Sequence, residues 1–258
     1  MKSLHKIILY AILLPLALFT TSCNDDGTPG VQEPGSITLD VHNQYNSQAL
    51  QLDNEYNTSS GTKFKFTQLR YIISNVELTA ADGSKYKVPE SYYVLEKTSA
   101  AERSKVELTN IPAGKYTSVT FSVGVDQAVN HSLDLAAGDL KTTSGMAWSW
   151  NTGYKFIVAE GQALDPQTDA WESITYHIGT DANYRTVTLA LPTAIEVEKR
   201  TTSEVMLVAE LSKLFNQVNI LQYKTVMSGS ATAEVATQVA DNYASMFTVH
   251  HAHSMKME

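Results

Sequence analysis

A single cysteine, Cys23, among 258 residues leaves this chain no partner for an intramolecular disulfide. Positive charge is also scarce: 19 Lys and Arg stand against 27 Asp and Glu, a formal net charge of −8. Nucleic acid and anionic headgroups therefore have no electrostatic reason to bind it. No apolar run reaches the roughly 20 residues that a membrane-spanning helix needs, the longest being Ile7 to Phe19. Gly-x-Ser-x-Gly, Gly-x-Gly-x-x-Gly, His-Glu-x-x-His and Cys-x-x-Cys are all missing, and with them the signatures of common hydrolase, dinucleotide, metalloprotease and thiol-redox chemistry. The carboxylates are scattered as on a solvated surface, so the chain is expected not to be an enzyme. A fixed-period repeat is absent too, which removes solenoids and propellers.

What is present begins at the N-terminus. Met1-Lys2-Ser3-Leu4-His5-Lys6, the apolar run, and then Thr20-Thr21-Ser22-Cys23 form a basic head, a short apolar segment and a small residue before cysteine. That order reads as an export signal of lipoprotein type over residues 1–22, with lipid on Cys23, although Thr20 replaces the usual aliphatic residue. Two or more acyl chains there give stable anchoring where one gives marginal binding. Removing residues 1–22 takes away Lys2 and Lys6 and no acid, so 19 − 2 = 17 basic residues face 27 acidic ones, a net charge near −10. Lipid rather than charge has to hold such a chain to a membrane. Residues 23–35, with Asn24-Asp25-Asp26 and a run of Gly and Pro, read as a flexible acidic linker. A single domain is expected over residues 36–258, on an outer-membrane lipoprotein of the cell envelope that faces the periplasm or the cell surface.

Period-two alternation and β-branched or aromatic runs dominate that domain, at Ser36 to Val41, Lys63 to Ile73, Val76 to Thr79, Tyr86 to Val88, Tyr92 to Leu95, Lys105 to Leu108, Tyr116 to Val125, Lys155 to Ala159, Ser173 to Ile178, Arg185 to Ala190, Ile195 to Val197 and Val205 to Glu210. Turn signals such as Asp82-Gly83 and Asn151-Thr152-Gly153 separate them. The pattern predicts an all-β protein, an antiparallel β-sandwich with at most one or two short helices. One turn at Ser212 to Phe215 and a helix within Ala231 to Met246 are the helical candidates.

Six histidines follow the leader: His42 after the first strand, His131 in a loop, His177 at the end of a strand, and His250, His251 and His253 in the last nine residues. Imidazole is the commonest metal ligand near neutral pH, and a sandwich draws ligands from positions distant in sequence. Each histidine taken alone reads first as an exposed or satisfied side chain. Trp148 and Trp150, at i and i+2 inside Gly145 to Phe156, point the same way on a strand and read first as a packing pair; a sugar-stacking face would use the same rings. Residues 250–258 carry little apolar area and are expected to be less ordered than the strands unless a metal or the sandwich captures His251 and His253.

Leu69-Arg70-Tyr71-Ile72-Ile73-Ser74-Asn75-Val76-Glu77-Leu78, the Ile111-Pro112-Ala113-Gly114-Lys115-Tyr116 turn, Phe121 to Asp126, the Gly-Met-x-Trp-x-Trp-x-x-Gly-Tyr-x-Phe box at Gly145 to Phe156, Tyr176-His177-Ile178-Gly179 and the segment Ala240 to Phe247 carry a resemblance. In that order they resemble the MbnP-like copper-binding proteins, in their Bacteroidetes lipoprotein branch. The resemblance implies an exported β-sandwich that binds copper through histidines. In some members a tryptophan assists after oxidation to kynurenine by a di-haem partner enzyme of the MauG or cytochrome c peroxidase kind. Carried over residue by residue, it implies His42, His177, His251 and His253 as metal ligands and Trp148 or Trp150 as the modified or ligand-adjacent residue. His250 stands where an acidic residue is more usual.

Imidazoles suit copper and zinc alike, so the choice of copper rests on the resemblance, while thioether donors would favour Cu(I). Three functional classes fit the residues: copper binding in the envelope, a structural or interaction lipoprotein without metal, and a glycan-binding module. The first carries a geometric expectation, that His42 and His177 lie close enough to share one ion.

Overall fold

The alternating runs fold into two facing sheets. The computed structural model describes residues 33–132, 137–140, 145–149, 153–199, 201–227 and 229–256; the leader, Cys23 and Trp150 lie outside them. Its longer strands are β1 (Gly35–Tyr45), β2 (Lys63–Ala80), β3 (Tyr92–Lys97), β4 (Lys105–Ile111), β5 (Gly114–Val123), β6 (Lys155–Asp165), β7 (Ala170–Gly179), β8 (Arg185–Val197), β9 (Thr201–Glu210) and β10 (Phe247–Lys256). Helices are few, a single turn α1 (Gln127–Asn130) and α2 (Ala233–Ser245). The fold is all-β and sandwich-like, with sheets that do not close into a barrel.

The smaller sheet runs β10-β9-β1-β4, and the larger runs β8-β5-β2-β6-β7, with β3 laid along β2. Most neighbours are antiparallel as expected, but β1 and β9 pair in parallel from Ser36 opposite Thr202 to Gln44 opposite Glu210. Strands so far apart in sequence are not bound by hairpin geometry, and the long connection between them permits either direction.

Alternation decides what is buried. Ile37, Leu39 and Val41 of β1, Val205, Leu207 and Ala209 of β9, and Ile174, Tyr176 and Ile178 of β7 point into one core with Phe64, Phe66 and Tyr71 of β2. The residues between them therefore point outward, among them Asp40 and, next along β1, His42 on the smaller sheet and His177 on the larger. A second apolar cluster, including Ile72, Met146, Tyr154, Phe156 and Val158, covers the outer face of the larger sheet.

Two breaks in the sequence pattern are bulges within strands. Asn75, at φ 51°, separates two predicted strands that form the continuous β2, and a register shift between Ala190 and Ile195 does the same in β8. The expected helix forms as α2, and the expected turn as a short 3-10 helix at Leu211–Lys213. At the C-terminus the sandwich captures His251 and His253, the alternative that the sequence leaves open. Residues 247–256 are no loose tail but a strand paired along β9, from Ala209 opposite Phe247 to Thr201 opposite Lys256.

Candidate metal centres

Three separate places hold the histidines named from sequence. On the larger sheet, β7 sets His177 opposite Val158 of β6, so that its ring lies on the outer face beside Glu160. The His177 Nε2 is 2.6 Å from Glu160 Oε1, and the imidazole side chain keeps only 17% of its surface exposed. A carboxylate on one ring nitrogen fixes the orientation of the ring and leaves Nδ1 as the remaining nitrogen, the arrangement that supports metal-ligating histidines.

Trp148 meets this histidine, with ring centroids 6.3 Å apart and planes tilted by 56°. The described sides of the box that carries it are tied to each other: Trp148 N–H donates to Gly153 O at 3.0 Å and Lys155 N–H to Met146 O at 2.7 Å. The indole Nε1–H donates to Tyr154 O at 3.1 Å, and Trp148 is buried. Asn130, at the end of α1, anchors the second side, accepting from Tyr154 N–H at 2.9 Å and donating to Asp181 Oδ1 at 2.9 Å. Gly179 makes the approach possible, because a Cβ there would lie 2.5 Å from Tyr154 O and 3.1 Å from the Trp148 ring. This gives the Tyr176-His177-Ile178-Gly179 motif a physical reason: the histidine and the bare backbone position two residues later both receive the tryptophan. Lys155 Nζ stands 5.9 Å from the Trp148 ring. Burial holds the Lys155 ammonium below the usual lysine range, and Arg70 adds repulsion while Glu160 opposes the shift.

His42 lies elsewhere. It sits on the outer face of the smaller sheet, with its Nε2 3.1 Å from Asp40 Oδ2, and Asp40 also pairs with Lys105 Nζ at 3.0 Å. Burial pushes the Asp40 carboxyl up, but hydrogen bonds from Lys105 and His42 and their charges outweigh it and hold the group below its ordinary value. The expectation that His42 and His177 share one ion is corrected: they occupy the outer faces of opposite sheets, and facing sheets alone are about 10 Å apart.

The third place is β10, where His251 and His253 fall on one face with ring centroids 5.4 Å apart and planes tilted by 32°. His250, which the sequence left without a role, joins them, its Nδ1 3.0 Å from His251 Nδ1. Among the described residues no three His, Cys, Asp or Glu side chains already stand together as a metal cage. The donor chemistry of both the His177 and the β10 centres nevertheless fits copper or zinc, since each presents imidazole nitrogen. Sequence reasoning missed Glu160 and Asp40, for which alternation of the paired strands was the only signal, and named His250 without giving it a role.

Over residues 34–228 the chain matches the family model described as MbnP. Among solved structures it is similar to MbnP from Methylosinus trichosporium, at 18% sequence identity over 76% of this chain and 81% of that chain, with a TM-score of 0.48. No curated protein matches it.

Proposed function

Because the chain belongs to the MbnP family, we propose that it binds a copper ion at the His177–Trp148 centre and takes part in copper handling in the cell envelope, as a lipid-tethered protein rather than an enzyme. The observation that supports this reading is the meeting of His177 and Trp148, 6.3 Å between rings, inside the family-matched segment and with Glu160 orienting the imidazole. His177 would hold copper through Nδ1, because Nε2 faces Glu160. The ion would supply a thiophilic, nitrogen-loving centre on a half-buried face of the sheet.

Indole is a donor only, and that of Trp148 is engaged by Tyr154 O, so the ring as it stands offers a metal nothing. Oxidation to kynurenine by a di-haem partner would expose an aniline nitrogen and a carbonyl oxygen at the same place. Such a change would convert a packing residue into a donor beside His177.

Protein produced in its native host should contain copper, and His177→Ala should lose the equivalent held at this centre while remaining folded, as metal analysis and melting curves would show. Peptide mass spectrometry should find one oxygen gained and one carbon lost on Trp148 or Trp150. Copper retained in full by His177→Ala would remove this centre; an unmodified pair of tryptophans in copper-loaded protein would remove only the oxidation step.

A further inference from the structure

A cleft of about 740 Å³ opens beside the turn from β6 to β7, walled by residues within 59–62, 165–167 and 216–224. Trp148 packs at the start of β6 and the cleft lies at its end, roughly 30 Å of strand away, so the two share no residue. The volume is that of an ordinary small-molecule site, but such sites are mostly apolar with a few polar groups, and this one is the reverse. Ser59, Ser60 and Thr62 bring hydroxyls; Gln167, Asn216, Gln217, Asn219 and Gln222 bring carboxamides. The apolar part of the lining is Pro166, Leu221 and the buried Val218. Its two charged side chains, Asp165 and Lys224, are opposite in sign, and each has a partner: Asp165 Oδ1 accepts from Gln167 N–H at 2.9 Å, and Lys224 pairs with Glu172. On a chain of net charge −8 a lining so balanced has no pull on an anion, and one carboxylate tied into its own turn does not cage a cation.

The loop that supplies most of the carboxamides is pinned at both ends by buried side chains. Asn242 of α2 donates to Leu214 O at 3.0 Å and to Asn216 O at 2.7 Å, and the Tyr176 hydroxyl donates to Tyr223 O at 2.6 Å. Between these anchors Gln217 takes a φ of 58°, a left-handed value that costs a non-glycine residue and persists where its surroundings impose it. Asn219 Oδ1 accepts from Leu221 N–H at 3.2 Å and Gln222 N–H at 3.1 Å, and Asn216 Oδ1 accepts from the Ser59 hydroxyl at 3.2 Å. Both oxygens are thus used within the protein, and the NH2 groups carry the remaining hydrogen-bonding capacity. Gln167, Gln217 and Gln222 are exposed, and their side chains make no hydrogen bond among the described residues. A polyhydroxylated ligand matches this set: each hydroxyl both donates and accepts, as carboxamides and serine hydroxyls do, its C–H faces suit Pro166, Val218 and Leu221, and it carries no charge. A loop already held in place has little ordering entropy to lose on binding.

We propose that this cleft binds a neutral oligosaccharide, held by the carboxamides of Gln167, Asn216, Asn219 and Gln222. The purified full-length protein is titrated calorimetrically with maltotetraose, mannotetraose and N-acetylchitotetraose, and with tetragalacturonate as the anionic counterpart. One or more of the neutral sugars should bind with Kd below ~1 mM. That affinity should not change between ~0.05 and ~0.5 M salt, since an uncharged ligand leaves nothing to screen, and tetragalacturonate should not bind. Gln167→Ala and Gln222→Ala should each weaken the sugar about three- to tenfold, the loss of one hydrogen bond. Asn219→Asp keeps the oxygen that accepts from Leu221 and Gln222 but removes the NH2, and should weaken it by a similar factor. Melting curves would establish that each variant is folded. If no neutral tetrasaccharide binds at ~10 mM, the proposal is withdrawn. Binding of tetragalacturonate alone, weakened by salt, would make the cleft an anion site instead. Neutral sugar held equally by all three variants would place it somewhere other than this cleft. None of these results bears on copper at His177, which is read from the His177→Ala comparison in native protein.

Discussion

Glu210, the last residue of β9, shows how a single side chain joins two distant parts of the chain. Its carboxylate accepts from Asn46 N–H and Ser47 N–H at 2.9 Å each and from Ser212 N–H at 3.1 Å. Asn46 and Ser47 have φ of 49° and 63°, the left-handed pair that a tight hairpin turn requires, and their amides point outward for capture. Burial raises the Glu210 carboxyl, but the donors at Ser212, Ser47 and Asn46 outweigh it and hold the group below its ordinary value. A carboxyl lowered in the folded state stabilises fully above its unfolded value, near pH 4.3, and that contribution disappears as pH falls through the folded value. Glu210→Gln should therefore melt about 2–4 °C below the parent at pH 7, and the two should converge near pH 2. A gap that persists in acid would mean the amide fails on shape rather than charge. Nothing in the sequence marks the link to the turn, since Asn46 and Ser47 lie more than 160 positions away. His177 was legible at this scale as a strand-end histidine beside a glycine, whereas Glu160 became its partner only through the register of β6 on β7.

Among elements, β10 was the hardest to read and carries the clearest test. Its apolar residues, Phe247, Val249 and Ala252, break period two at a bulge, where the pairing with β9 shifts between Leu207 opposite Val249 and Met206 opposite His251, so no window of the sequence shows a clean alternation. The strand is nevertheless tied on both sides of the bulge. It pairs with β9 along its length, Ala252 is buried, and Ser254 Oγ accepts from Glu196 N–H at 2.9 Å. A chain ending at Val249 loses every pairing from His251 to Lys256. With a net contribution of about 0.5–1.5 kcal/mol for each hydrogen bond removed, the loss should exceed about 2 kcal/mol, or ~4 °C in melting temperature. Equilibrium urea denaturation of the two lengths measures it. Equal stability would show that the C-terminal half of the strand rests on the sheet without supporting it. The strands that were legible, such as β7 and the first half of β1, are those whose core residues, Ile174, Tyr176 and Ile178 or Ile37, Leu39 and Val41, recur at every second position against a single core.

At the scale of the whole molecule, His42 and His177 occupy outward positions of β1 and β7, but no local pattern shows that the two strands belong to different sheets. That assignment depends on β1 pairing in parallel with β9, a contact between residues more than 160 positions apart that no local pattern encodes. The fold class was therefore readable and the site was not, because a site needs the register of several strands at once. The proposed tether is the opposite case, read from consecutive residues. A chain cut before Cys23, with a net charge near −10, would be repelled by anionic headgroups, so the proposed attachment through Cys23 requires acyl chains, whose hold on a bilayer does not depend on salt. The full-length protein, expressed in a bacterial host that processes lipoproteins, should sediment with membranes, resist extraction by ~1 M salt and dissolve in detergent. Cys23→Ser should appear in the soluble fraction with its β-sandwich intact. Release of the parent by salt alone, or retention of Cys23→Ser on the membrane, would mean that a surface of the folded domain and not the N-terminal lipid holds the protein there.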